Sequence, residues 1–221
     1  MPTSNWRAVF VGISVLLAGC AADQATTVGE VNNAVPTGGY RNILVFVEND
    51  EQDQLDLENV IVTKLRNSGV NADSSLALFQ FSRKNFDPKE MGSVILNRGF
   101  DSVIYVDIIK KEVVTKNVTD KTYQRSQNGY VLCSTYTILQ YCYPMPNSYN
   151  IDRNGNLTES SLVILAKSEL YDVHSNQDVW TAETSISTDG SNSADIPKLF
   201  PDLAQQITIK LQTEKVIPGR S

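Results

Sequence analysis

Apolar residues along this chain fall into blocks of different period, and each block predicts an element. Residues 43–47, Ile-Leu-Val-Phe-Val, form a continuous apolar run of strand length, the pattern of a strand buried on both faces. A polar turn follows, and residues 52–68 read as a helix. Leu55, Val60, Ile61 and Leu65 lie near one face, Lys64 and Arg66 occupy the last turns, and Gly69 is the stop. Residues 74–81 read as a second strand. Asp87-Pro88-Lys89-Glu90 is a helix start, with Asp at the cap, Pro at the first helical position and Glu placed for a capping box. Met91, Val94 and Ile95 supply its stripe, and Gly99 ends it.

From Phe100 the chain is extended: residues 102–109 are apolar, and residues 113–118 continue with β-branched side chains. Residues 123–149 are rich in Tyr, Thr, Asn and Ser, and read as a strand containing Cys133 followed by an irregular, exposed insert. Residues 152–156 are a turn. Residues 162–173 and 178–187 form a hairpin around His174-Ser175-Asn176-Gln177. In the last helix, residues 195–214, Leu199, Phe200, Leu203, Ile207 and Leu211 line one face, and Pro197 and Pro201 place its regular part after Pro201. The order is β-α-β-α-β-β-β-β-α. It predicts a single α+β domain over residues 41–217, a mixed sheet with helices packed on it.

The first forty residues follow another logic. Residues 1–7 carry one basic side chain, Arg7, and no acid. Residues 8–17 are apolar, and Ala18-Gly19 precede Cys20. This is the layout of a secretory signal peptide over residues 1–19, with an apolar segment about half the length that a spanning helix needs. Leu17-Ala18-Gly19-Cys20 resembles the lipobox of bacterial lipoproteins. That resemblance implies cleavage before Cys20 and acylation of Cys20, so that lipid holds the protein to a membrane facing the periplasm. Ala21, rather than Asp, follows the cysteine, and the outer membrane is the expected destination. Residues 20–40 are small and polar without apolar periodicity, and read as a flexible tether.

Charge and cysteine content narrow the function classes. The formal charge is −6, and loss of residues 1–19 removes Arg7 and no acid, giving −7. The basic residues are scattered rather than gathered into a stripe, which argues against nucleic acid as a partner. With Cys20 assigned to lipid, Cys133 and Cys142 remain. In an oxidising compartment they read as a disulfide closing a short loop. A redox pair is the alternative, although such pairs favour closer spacing at a helix start. Zinc is a poor fit, since two thiols and a distant single His174 do not make a ligand set.

No segment announces a reaction. His174 is the only histidine and reads as a solvated turn residue. There is no Gly-x-Ser-x-Gly elbow and no phosphate-binding loop. Asp107 sits inside an apolar strand, as an outward-facing residue or an unusual acid. Trp180 covers the sheet or serves a partner surface. The tyrosines Tyr130, Tyr136, Tyr141, Tyr143 and Tyr149 are the candidate contact: exposed tyrosines supply large contact area at low entropic cost. Aromatic cross-strand pairing is the competing explanation.

Three segments carry a wider resemblance. They are residues 42–47 with the helix ending Leu65-Arg66-Asn67-Ser68-Gly69; Asn97-Arg98-Gly99-Phe100-Asp101-Ser102-Val103-Ile104-Tyr105-Val106; and residues 168–182, which include Leu170-Tyr171-Asp172-Val173 and Val179-Trp180. Together they resemble the amino-terminal domain of TolB and the related folds of the curli-secretion lipoprotein and the activator lipoproteins of penicillin-binding proteins. The resemblance implies a fold and a role in binding other envelope proteins, and it brings no catalytic residues. The polar, proline-containing stretch 123–149 departs from the long membrane-spanning hairpins of a pore. The expectation is a non-enzymatic, lipid-anchored interaction or scaffold module, with no cofactor and no metal. A subunit of a secretion or motility-associated assembly and a cell-wall glycan binder or hydrolase are the rivals.

Overall fold

The computed structural model describes residues 24–48, 51–79, 88–134, 142–189 and 193–219. They form one α+β domain built on a seven-stranded mixed sheet, with a separate three-stranded sheet at one end. The main sheet runs β1 (Gln24–Val31), β10 (Gln177–Asp189), β9 (Leu157–Asp172), β4 (Ser102–Asn117), β2 (Asn42–Glu48), β3 (Asn71–Ser74), and β8 (Tyr149–Ile151) pairs with β9. β2 is parallel to both β3 and β4, and the other pairings are antiparallel.

The apolar run of β2 is explained by helices on both faces. Ile43, Val45 and Val47 face α1 (Glu51–Asn67) and α4 (Phe200–Thr213), where Leu57, Ile61, Leu65, Leu203, Ile207 and Leu211 are fully buried. Leu44 and Phe46 face the other way, against Phe79, Ile95 and Phe100 around α3 (Pro88–Asn97). Each such aliphatic side chain contributes roughly 1.5–3 kcal/mol on burial, so the α1/α4 face, with many more of them, holds the larger share of the core. The long hairpin of β9 and β10 and the closing helix fall where the pattern predicts them. A 3-10 turn, Ser193–Leu199, containing Pro197 leads into α4. Trp180 is completely buried under α4, and its Nε1–H donates to Glu214. Asp107 lies on the opposite face of β4 from buried Val106, beside Lys167 of β9.

Four expectations need correction. The stretch read as a tether contains β1: residues 24–31 pair in full register with β10, from Gln24↔Ser187 to Val31↔Trp180. Its polar composition suits an edge strand with a solvated face, and the ladder to β10 satisfies the backbone that local propensity left unassigned. A Cβ on Gly29 would lie 2.8 Å from Lys210 Cε and 3.0 Å from Glu214 Oε2, so glycine leaves room for the Lys210–Glu214 pair over β1, although both are ends of flexible side chains that could move aside. Second, the strand after α1 comes earlier than predicted, at β3, and Ser74 instead caps the one-turn helix α2 (Ser75–Leu78). Third, the buried stripe of α1 is rotated from the predicted one: Leu57 and Glu58 are buried, whereas Leu55 and Val60 are half-buried. Fourth, the stretch expected to be irregular after the Cys133 strand holds, among its described residues, the short strand Cys142–Pro144 and the start of β8. The predicted cap Asp87 lies outside the described residues.

Glu58 explains the second and third corrections together. Its carboxylate is fully buried and accepts hydrogen bonds from Val47 N–H (3.1 Å), Ser75 Oγ (2.7 Å), Leu76 N–H (3.0 Å) and Ser74 Oγ. One side chain thereby joins β2, α1, β3 and α2, and four donors offset the cost of burying the charge. Asp101 acts similarly at the other end of β2, accepting from Arg41 N–H (2.8 Å) and Asn42 N–H (3.1 Å). Asp172 closes the start of the β9–β10 turn. Burial pushes its carboxyl up, but hydrogen bonds from Ser175, Tyr40 and His174 outweigh that and hold it below the usual carboxylate range. Replacing Glu58 with leucine strands buried donors, each costing about 1–3 kcal/mol. Urea unfolding of Glu58→Leu should show a loss of at least about 3 kcal/mol, and a loss under about 1 kcal/mol would contradict this role.

Candidate functional site

β4 and β9 are 16 residues each, and they carry the chain from the core to a second, smaller cluster. Up to Ile108 the inner face of β4 packs on the core, and Ile109 then stands out of register and exposed. Such a bulge bends and twists a ribbon. Beyond it the two strands run paired from Lys110↔Leu165 to Asn117↔Thr158. At their far end lies a small lobe: the sheet of β5 (Lys121–Ser126), β6 (Gly129–Ser134) and β7 (Cys142–Pro144), with β8 beside it. The tight β5–β6 turn uses Gly129 at φ +123°, a conformation that side chains resist.

The lobe has its own core. Leu132, Tyr149 and Leu157 are buried, with Val118, Tyr123 and Met145 packed around them. Cys133 and Cys142 face each other across β6 and β7 and are joined by a disulfide, with Cα atoms 4.2 Å apart. The bond ties the two strands around residues 135–141, which lie outside the described residues. A chain of charge-assisted hydrogen bonds joins the lobe to the ribbon. Lys121 Nζ donates to the Tyr149 hydroxyl (2.5 Å) and sits 4.8 Å from the centre of its ring. The Tyr149 hydroxyl is hydrogen-bonded to Glu159, which also receives Lys116 at 2.9 Å. Burial is the main cause raising Tyr149 above the ordinary phenol range. Its hydrogen bond is the main cause raising Lys121. For Glu159, burial pushes up and is outweighed by Tyr149 and Lys116, so the carboxyl sits low.

The predicted contact residues therefore separate. Tyr149 is a core and hydrogen-bonding residue of the lobe, 8% exposed. Tyr143 and Tyr130 are on its surface, 38% and 46% exposed, and Tyr130 meets Tyr123 edge-to-face at 5.8 Å between ring centres. Aromatic pairing between strands is thus seen at Tyr130, while Tyr143 is exposed and Tyr149 is buried. Tyr136 and Tyr141 lie outside the described residues, as does Cys20. His174 sits in the β9–β10 turn at the opposite end of β9 from the lobe. Missed by sequence reasoning were the Lys116–Glu159–Tyr149–Lys121 chain and Glu58. The available signal for Glu58 was an acid between apolar residues on the helix face toward the core.

Between residues 117–123 and 155–157 runs an open cleft of about 510 Å³, lined by Asn117, Thr119, Lys121, Thr122, Tyr123 and Asn156. It offers amides, hydroxyls and one ammonium, and no acidic residue lines it. Among the described residues no three of His, Cys, Asp and Glu are grouped as metal ligands, and no helix is long and apolar enough to cross a membrane.

No protein-family model matches the chain, and no curated protein matches it in sequence. Among solved structures, the chain is similar to the PelC dodecamer from Paraburkholderia phytofirmans, at 12% identity over 90% of this chain and 100% of that one, with a TM-score of 0.43. Lipoprotein GNA1162 from Neisseria meningitidis is similar at 14% identity over 76% of this chain and 99% of that one, TM-score 0.38. A minor lipoprotein from Acinetobacter baumannii is similar at 13% identity over 82% and 98%, TM-score 0.36.

Because the disulfide closes a loop within the lobe, reduction should act there first. Losing such a loop costs about 2–3 kcal/mol on a chain-entropy argument. In Cys133→Ser/Cys142→Ser, limited proteolysis should cut within residues 126–150 while a fragment set containing α1 and α4 stays folded. Unchanged resistance of the lobe would show that the bond is dispensable to it.

Proposed function

We propose that the chain is a lipid-anchored, non-enzymatic interaction module of the cell envelope, held to the outer membrane through Cys20 and docking on another envelope protein through the lobe. The observation that carries this reading is the lobe itself: a disulfide-tied sheet with its own small core at the far end of β4 and β9, presenting Tyr130 and Tyr143. A stiffened aromatic surface suits contact, because rigid aromatic anchors lose little entropy on binding. The Leu17-Ala18-Gly19-Cys20 sequence supports the anchor, and the disulfide fits an oxidising compartment. The single histidine, far from the lobe, and the acid-free cleft favour docking over chemistry.

One experiment addresses anchor and contact together. Protein extracted from membranes should have an intact mass that begins at Cys20 and includes two or three acyl chains. Crosslinking in intact cells should then capture one envelope protein with wild type and lose it with a folded Tyr130→Ala/Tyr143→Ala variant. An unmodified amino terminus would remove the anchor from this account, and an identical crosslinked set would remove the lobe tyrosines.

A further inference from the structure

The cleft beside the lobe has walls that are held in place. Its two sides are joined by a backbone hydrogen bond, from Val118 N–H to the Leu157 carbonyl at 2.9 Å. One wall is the turn 152–156, which Asp152 fixes. Its Oδ1 accepts from the Asn154 and Asn156 N–H groups, both at 2.8 Å, and its Oδ2 accepts from Asn156 Nδ2 at 2.9 Å. The other wall is β5, where the Tyr123 hydroxyl reaches across to donate to the Gly155 carbonyl at 2.9 Å and the ring is braced edge-to-face by Tyr130. Lys121 is held by the Tyr149 hydroxyl. An aromatic ring, an ammonium and one amide are thereby oriented before any ligand arrives, which lowers the entropic cost of binding.

Other polar groups in the cleft are free. Among the described residues no side-chain hydrogen bond engages Asn117, Thr119 or Thr122, which line the cleft and are exposed. An amide or a hydroxyl both donates and accepts. The mixture selects among ligand classes. A phosphate or a nucleic-acid strand calls for several cations, and the lining holds one. A cationic ligand calls for carboxylates, and none lines the cleft. An apolar ligand calls for mostly apolar walls, and only Val118, Leu157 and the Tyr123 ring supply them. A sugar ring carries hydroxyls around its rim, each a donor and an acceptor, and C–H bonds on its faces that pack on an aromatic ring. Amides, hydroxyls and one tyrosine ring match that chemistry.

We propose that this cleft binds a saccharide, one or two rings of a neutral or carboxylated glycan, and holds it without cleaving it. The volume of about 510 Å³ lies within the ~300–1,000 Å³ of small-ligand pockets. Tyr123 supplies the packing face, Asn117, Asn156, Thr119 and Thr122 the hydrogen bonds, and Lys121 a place for a carboxylate. Cleavage of a glycosidic bond calls for a pair of carboxyl groups, which the lining lacks. The site does not use Tyr143, and it gives the lobe a binding role beyond docking on a protein.

The test is titration calorimetry on the full chain, extracted from membranes in a zwitterionic detergent free of sugar. The probes are N,N′-diacetylchitobiose, cellobiose and digalacturonate, with the cationic dimer of glucosamine as the class that the lining excludes. At least one of the first three should bind with a Kd of about 1 mM or tighter, and the glucosamine dimer at least about tenfold more weakly. The bound sugar should be recovered with its mass unchanged. Asn117→Ala/Thr122→Ala removes two exposed side chains and should weaken binding several-fold at an unchanged melting temperature, whereas Tyr143→Ala should bind as wild type does. No binding of the three probes at about 10 mM overturns the proposal. Equal binding of the glucosamine dimer, or wild-type affinity in the folded double variant, overturns it as well. Cleavage of a probe overturns the claim that the cleft only holds its sugar.

Discussion

The pairing of β4 with β9 is the constraint on which the rest depends. β4 takes a parallel neighbour, β2, on one side and the antiparallel β9 on the other, so it is where the β-α-β half of the fold joins the meander. The same pairing then runs on to Asn117↔Thr158, beside the lobe. One continuous strand pair thus serves two environments. Both strands are buried before the bulge at Ile109, with Ile104, Val106, Ala166 and Leu170 in the core; beyond it β4 has no fully buried side chain, whereas β9 keeps Leu162 and Ile164 in the core. Backbone hydrogen bonding continues across that change because it does not depend on side-chain chemistry.

Buried acids fasten the compact end. Glu58 gathers donors from two strands and a helical turn, and Asp101 fixes where β2 begins beside β4. Such carboxylates are costly unless their donors are in place, so they select one arrangement of the elements as well as stabilising it. Glu214 does the same for the sheet edge, receiving Trp180 and Lys210 above Gly29. The edge strand is therefore clasped by α4 as well as laddered to β10.

What the sequence made legible was local. The five-residue apolar run at Ile43 needed two covered faces and has them. Gly69 and Gly99 mark helix ends because both adopt positive φ, at +90° and +76°. Cys133 and Cys142 were readable as a pair from compartment and spacing. The misses share a cause, which is dependence on partners distant in the chain. β1 is a polar octet whose structure comes from β10, more than 140 residues away, so no local period announces it. Leu57 rather than Leu55 is buried beside Glu58, an acid on the core-facing side of α1 whose hydroxyl donors, Ser74 and Ser75, come from the next strand and turn. The division of labour between Tyr149 and Tyr143 depends on strand register within the lobe, and composition treats all tyrosines alike. The lobe was legible as a region of unusual composition, and its sheet was not.

The central claim is that residues 24–31 are a clasped edge strand of the domain instead of a free tether. Native-state amide hydrogen exchange over residues 24–31 tests it most directly. An edge strand bonds inward through alternate amides, so about half of these N–H groups should exchange at least about 100-fold more slowly than in an unstructured peptide, in step with β10. Exchange of all of them at the unstructured rate, with β10 still protected, would contradict the account.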